Sequence, residues 1–240
     1  MKKILLSTLI AVGLFGSALY ASSCEAKGDN FISVAGECLE IKAFEGDEEG
    51  KLNIVLHGTW KSGTNTLGRY APFAEALVME TDITTVAVAL PGYSNSTTNS
   101  LKCLGDAEGL STKSDYVKFA LELISKLKNK YEAQSVNYMG HSASASMGAK
   151  VAEHNSGLNI VTLAGGKYDK VDISKLDKNL KYILVYGTKD KISEPKHTLD
   201  FYDKLEKSGF NVTLVKVEQA HLDLDMSDPS VEAFSSAVSE

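Results

Sequence analysis

Apolar residues along the chain fall into two patterns that take turns. Short runs rich in apolar and β-branched residues occur at 31–34, 38–44, 52–56, 85–90, 136–139, 160–164, 182–186 and 212–217. From 52 onward these runs are apolar almost throughout, and most are separated by segments long enough for a helix. Strands covered on both faces read this way, so a buried and mostly parallel sheet is predicted. The first two runs lie close together around Ala35-Gly36 and predict an antiparallel hairpin before the parallel part begins.

The segments between the runs carry the helical period. Tyr116, Phe119, Ala120, Leu123, Leu127 and Tyr131 recur along one face behind Ser114, a cap candidate. Asp228-Pro229 starts a last helix as N-cap and first-turn proline, with Val231, Phe234 and Val238 inward. Strand and helix alternating after an opening antiparallel pair predict an open α/β sheet flanked by helices. Only 16 residues separate Ala164 from Lys181. That is too few for a cap domain, and any site at the end of the sheet is expected to be open and shallow.

The first residues break this pattern. Met1-Lys2-Lys3 and the apolar run to Leu19, interrupted by Ser7, Thr8, Gly13 and Gly16, read as a secretory signal over 1–23, with cleavage after Ala21 or before Cys24. The run is too short and too broken by glycine for a membrane span. Residues 24–240 are expected to form one domain, for which 43% apolar and 23% charged residues are ordinary values. Three cysteines remain, and an odd number in an exported protein needs a reason. Either Ala21-Ser22-Ser23-Cys24 is a weak lipobox, with a lipidated Cys24 anchoring the chain to a membrane and Cys38 paired with Cys103, or Cys24 bridges Cys38 and leaves Cys103 free and buried. Both readings place the chain in an oxidising compartment, periplasmic or secreted. The formal charge is −6 with Lys2 and Lys3 counted and −8 without them. An acidic chain with no basic stripe is not expected to bind nucleic acid.

Candidate chemistry gathers where strands end. Gly140-His141-Ser142-Ala143-Ser144 lies between the strand run ending at Met139 and a helix starting near Ala143, the setting of a nucleophilic serine at a sharp turn. Asp190 follows the run 182–186 through Gly187-Thr188-Lys189, and His221 follows 212–217 through Glu218-Gln219-Ala220. A hydroxyl needs a base to attack at neutral pH, a role for His221, and the imidazole needs a buried acceptor to hold it, a role for Asp190. Asp169 and Asp223 are the rival acids. Acyl transfer also needs donors for the developing oxyanion; the N–H of Ala143 and that of Thr59, in the loop His57-Gly58-Thr59-Trp60, are expected to supply them. Trp60 and Tyr93 are candidate pocket residues, and the polar run 95–100 is expected to form a rim. His57, His141, His154, His197 and His221 include no metal-binding spacing, so neither metal nor other cofactor is expected.

His57-Gly58, Pro91-Gly92-Tyr93, Gly140-His141-Ser142-Ala143-Ser144, Gly187-Thr188-Lys189-Asp190 and Ala220-His221, in this order, resemble the α/β-hydrolase superfamily over nearly all of the mature chain. The resemblance implies a mostly parallel sheet of about eight strands with the antiparallel hairpin at its start, and hydrolysis through an acyl-enzyme. Ser144 stands where the family has glycine. The leading expectation is a serine hydrolase acting on small-molecule carboxylic esters of small or medium acyl groups. A serine peptidase or amidase on short peptides comes second. A ligand- or partner-binding protein without catalysis is the alternative from another class, and the oligomeric state is left open.

Overall fold

The structure, a computed structural model, describes residues 24–154, 156–221, 224 and 228–239. The predicted signal over 1–23 and the rival acid Asp223 lie outside the described residues. Eight strands form one sheet: β1 (Phe31–Val34), β2 (Glu37–Phe44), β3 (Lys51–Leu56), β4 (Thr85–Val88), β5 (Ser135–His141), β6 (Ile160–Ala164), β7 (Lys181–Gly187) and β8 (Asn211–Val217). Their order is β1-β2-β4-β3-β5-β6-β7-β8. β2 runs antiparallel to both β1 and β4, and every later pairing is parallel. The hairpin turns at Ala35 and Gly36, both at positive φ, as a two-residue turn matched to strand twist requires.

The continuous apolar character of the middle strands has the expected cause. Leu52, Ile54, Val55 and Leu56 on β3 are all fully buried, since helices cover both faces. α1 (Leu67–Thr81) packs with α5 (Asp228–Ser239) on one face, and α2 (Ser114–Lys130) packs with α3 (Ala143–Val151) on the other. α4 (Pro195–Lys207) covers β7 and β8. Ser114 is the first residue of α2, with Lys113 in the cap position, one residue from the expectation. A buried polar ladder crosses the sheet centre: Asn137 donates to Asn53 at 3.0 Å, and Asn53 donates to Thr85 at 3.1 Å. The three residues are direct partners in register. A slip of one residue would strand buried amides, so the ladder favours this alignment.

The second cysteine arrangement is the one formed: Cys24 is bridged to Cys38, and Cys103 is free and buried. The bridge uses the Cys24 sulfur that a thioether lipid would need. Such a bond belongs to an oxidising compartment.

Next to Cys38, Glu37 explains why residues 95–100 do not form the expected rim. Its buried carboxylate accepts from Asn99 N (2.7 Å), Ser100 N (2.6 Å), Leu101 N (2.8 Å), Thr97 Oγ1 (2.7 Å) and Ser100 Oγ (3.0 Å). This segment is thereby docked against β2. Burial alone would raise the pKa of Glu37; the bonds from Asn99, Thr97, Ser100 and Leu101 outweigh it and hold the value below the ordinary one. A carboxyl depressed on folding stabilises the fold above its unfolded pKa of about 4.3, and that stabilisation is lost as pH falls through the folded value. Glu37→Gln is therefore expected to cost about 2 kcal/mol in urea unfolding at pH 7, with a smaller gap from wild type in acid. Equal unfolding midpoints at pH 7 would contradict this account.

Candidate active site

Ser142 sits between β5 and α3 with φ 55° and ψ −113°, a conformation a residue with a side chain rarely adopts. Its N–H donates to Ala164 O at 2.8 Å, and its carbonyl accepts from Ser146 N at 3.1 Å, so the turn is tied to both β6 and α3. Close packing beneath it requires glycine at 140, where a Cβ would lie 2.4 Å from Ser144 O. At Ser144, where the family pattern has glycine, the buried hydroxyl donates to His57 O at 2.5 Å. The departure adds a tie between the helix and the loop after β3.

Three side chains from three strand ends meet at this turn. His221 Nε2 is 2.8 Å from Ser142 Oγ, and His221 Nδ1 is 2.6 Å from Asp190 Oδ2. Asp190 Oδ1 accepts from the N–H groups of Ile192 and Ser193, each at 2.8 Å. Burial alone would raise the Asp190 pKa. The His221 hydrogen bond and charge and the two backbone donors outweigh it, so the carboxyl is held below its ordinary value. Asp169 lines the cleft as an exposed residue and makes no hydrogen bond to His221.

The loop after β3 lies on the turn. A Cβ at Gly58 would come within 2.8 Å of Ser142 Cβ, so only glycine permits this approach. The N–H of Gly58 donates to Tyr70 Oη and that of Trp60 to Tyr93 Oη, each at 3.2 Å. Between them, the N–H of Thr59 has no acceptor among the described residues; neither has that of Ala143. His57 fixes the aim of Thr59. Its Nε2 accepts from Leu90 N at 3.0 Å, which leaves Nδ1–H to donate to Gly58 O at 2.7 Å. Because a peptide unit is planar and trans, anchoring the carbonyl of Gly58 turns the N–H of Thr59 the opposite way. Burial lowers the His57 pKa to about 4; the Gly58 bond opposes this and nearby His141 adds to it. The ring thus stays neutral, as its bonding requires.

A cleft of about 930 Å³ opens over these groups at the carboxyl ends of the parallel strands. Its rim is not 95–100 but the two short helical turns Leu104–Asp106 and Leu110–Thr112. Trp60 lines the cleft, with the Arg69 guanidinium 4.2 Å above its ring. Tyr93 does not line it. That side chain is fully buried, and its hydroxyl donates to Trp60 O at 2.8 Å, so it braces the loop from behind. The exposed side chain of Ile192 and those of Leu104 and Leu110 give the cleft apolar walls. His154 and His197 are exposed, and His197 stands at the cleft edge.

No protein-family model matches the chain, and no curated protein matches it in sequence. Solved structures do match. An esterase of Pyrococcus furiosus superposes with a TM-score of 0.68 at 14% identity, over 87% of this chain and 88% of that one. Est1E of Butyrivibrio proteoclasticus, solved with ferulic acid bound, gives 0.64 at 14% identity over 87% and 96%. A Xanthomonas campestris α/β serine hydrolase without a lid gives 0.61 at 16% identity over 78% and 85%. The chain has the α/β-hydrolase fold. In open α/β sheets reactive groups gather at the carboxyl ends of the parallel strands, the end at which Ser142, Asp190 and His221 stand.

The sequence marked Ser142, Asp190, His221, Thr59 and Ala143, and the fold brings all five together. It did not mark Tyr70, which belongs to the ordinary apolar stripe of α1, nor the rim over 104–112, whose composition is that of any loop. The His57-Gly58 pair was a signal, but for backbone geometry and not for a reacting side chain. Gly58→Ala is expected to fold and to lose roughly 100-fold in kcat on any substrate processed at Ser142, because a Cβ there displaces the Thr59 N–H from its position. Wild-type kcat in that variant would separate the loop from the chemistry.

Proposed function

We propose that the protein is an exported serine hydrolase that cleaves carboxylic esters through an acyl-enzyme. The observation that supports this best is the unbroken relay from Asp190 through His221 to Ser142, set on a strained turn beside two N–H groups without acceptors among the described residues. His221 Nε2 takes the proton from Ser142 Oγ as the oxygen attacks the ester carbonyl. Asp190, with its depressed pKa, remains a carboxylate and stabilises the imidazolium that forms. The carbonyl oxygen becomes an oxyanion facing the N–H groups of Thr59 and Ala143. Collapse expels the alcohol, which receives the proton from His221. Water activated by the same imidazole then releases the carboxylic acid and restores Ser142.

The apolar walls at Leu104, Leu110 and Ile192 favour an acyl or alcohol group of medium size, and the cleft volume is within the range that small-molecule sites use. Lys167, Lys170, Asp169 and Glu108 also line the cleft, and their mixed signs give no single handle for a peptide amine. Esters are therefore preferred over peptides. Export rests on the Cys24–Cys38 bridge and on the signal-like residues before it.

A fluorophosphonate probe is expected to label the mature protein at Ser142, as read by peptide mapping, and a panel of p-nitrophenyl esters is expected to turn over faster than aminoacyl anilides. Ser142→Ala and His221→Ala should each lose at least roughly 1,000-fold in kcat, and Asp190→Asn comparably, because such residues act as a unit. Wild type that fails to label while folded would refute the catalytic reading. Full activity in Asp190→Asn would move the acid role to Asp169.

A further inference from the structure

Tyr70 is a buried side chain of α1, an element that carries none of the groups assigned to the chemistry. Its hydroxyl is 3.2 Å from Gly58 N and 2.9 Å from His141 Nδ1. His141 Nε2 is in turn 2.9 Å from the carbonyl oxygen of His221. The direction of these bonds follows from elementary rules. A backbone N–H only donates, so Tyr70 Oη accepts from Gly58. A carbonyl only accepts, so His141 Nε2 carries a hydrogen and donates it to His221 O. In a neutral imidazole the other nitrogen is then an acceptor, and it takes the proton of the Tyr70 hydroxyl. One chain of hydrogen bonds thus runs from the loop of Thr59, through α1 and the residue before Ser142, to the backbone of His221.

We infer that Tyr70 is a positioning residue, whose hydroxyl sets the oxyanion loop and the base in register with Ser142. The inference rests on the reading of Ser142 as the nucleophile. The groups it links belong to loops after β3 and β8, which lie four strands apart in the sheet. Strand pairing fixes each loop's root but not the last fraction of an ångström at its tip. Oxyanion donors act within a narrow range of about 2.7–3.1 Å, so that fraction matters. Gly58 is also in close approach to the ring of His141, where a Cβ would lie 3.2 Å from Nδ1. A shift in one is therefore felt by the other. Without the Tyr70 hydroxyl, Gly58 N–H and His141 Nδ1 lose the partner that links them, and the loop is free to turn toward another acceptor.

Tyr70→Phe in the mature full chain removes that one oxygen. Turnover is measured per site titrated with the fluorophosphonate, so that a loss of folded protein does not enter. The expected result is a fall in kcat of about tenfold with KM within about twofold, since the affected contact forms only in the transition state. A trifluoromethyl ketone, which forms a tetrahedral oxyanion on the serine, should bind about tenfold more weakly, in step with kcat. His141→Asn provides a second cut should Tyr70→Phe not fold: the shorter side chain cannot reach His221 O, and the same split between kcat and KM is expected. Combining the two should cost less than the product of their separate effects. Labelled wild type together with unchanged kcat and ketone affinity in both variants would overturn the role of Tyr70 alone. Failure of wild type to label would overturn the catalytic reading and this one with it.

Discussion

A side chain held at φ 55° and ψ −113° is unfavourable by roughly 1–3 kcal/mol, and it persists only where its surroundings leave it no alternative. At Ser142 they do. The N–H is bound to the end of β6 and the carbonyl to the first turn of α3. Tyr138 Oη donates to Ser144 O at 2.6 Å from below, and the bare Cα of Gly140 lets the helix settle onto the strand. Each of these bonds contributes on the order of 1 kcal/mol, enough together to offset the strain. The result is a half-buried serine that lines the cleft from a rigid base, and the surrounding loops are arranged against that fixed point.

Neutral hydrogen-bonded groups aim the backbone around it, and charge enters at one place. His57 and Tyr70 hold the two sides of Gly58, the carbonyl and the N–H, and so leave the N–H of Thr59 facing the cleft. His57 can do this because burial keeps it uncharged. Asp190 is the contrary case, a carboxylate kept ionised by His221 and two backbone donors in spite of burial. The low dielectric that makes an unpaired buried charge costly also strengthens a paired one.

Much of this was legible along the chain. Runs apolar on both faces announce a parallel sheet, because helices must cover both sides. Gly140, Ser142, Asp190 and His221 stand at strand ends, where α/β sheets gather their reactive groups. The failures share a cause. Tyr93 follows a strand and was a candidate for the pocket, yet it is buried behind Trp60, since which way a ring turns depends on the space left by neighbours distant in sequence. The run 95–100 was expected at the rim because it is polar. It lies instead against β2, because Glu37 offers a buried carboxylate that five donors can satisfy. Ser144 stood out only as a departure from the resembled pattern, and that its hydroxyl reaches a carbonyl of another loop was not legible along the chain.

Local chemistry was therefore decided by the sequence itself: the period of each segment, the hairpin at Ala35-Gly36, the residue types able to attack, to accept a proton and to hold an imidazole, and their order. Those properties depend on neighbours in the chain, and spacing records them. The tertiary structure alone decided which cysteines pair, which acid meets His221, which N–H groups remain without acceptors, and that Tyr70 joins loops of two distant strands. These are matters of distance between segments far apart in sequence, and only the packed sheet sets such distances to within an ångström.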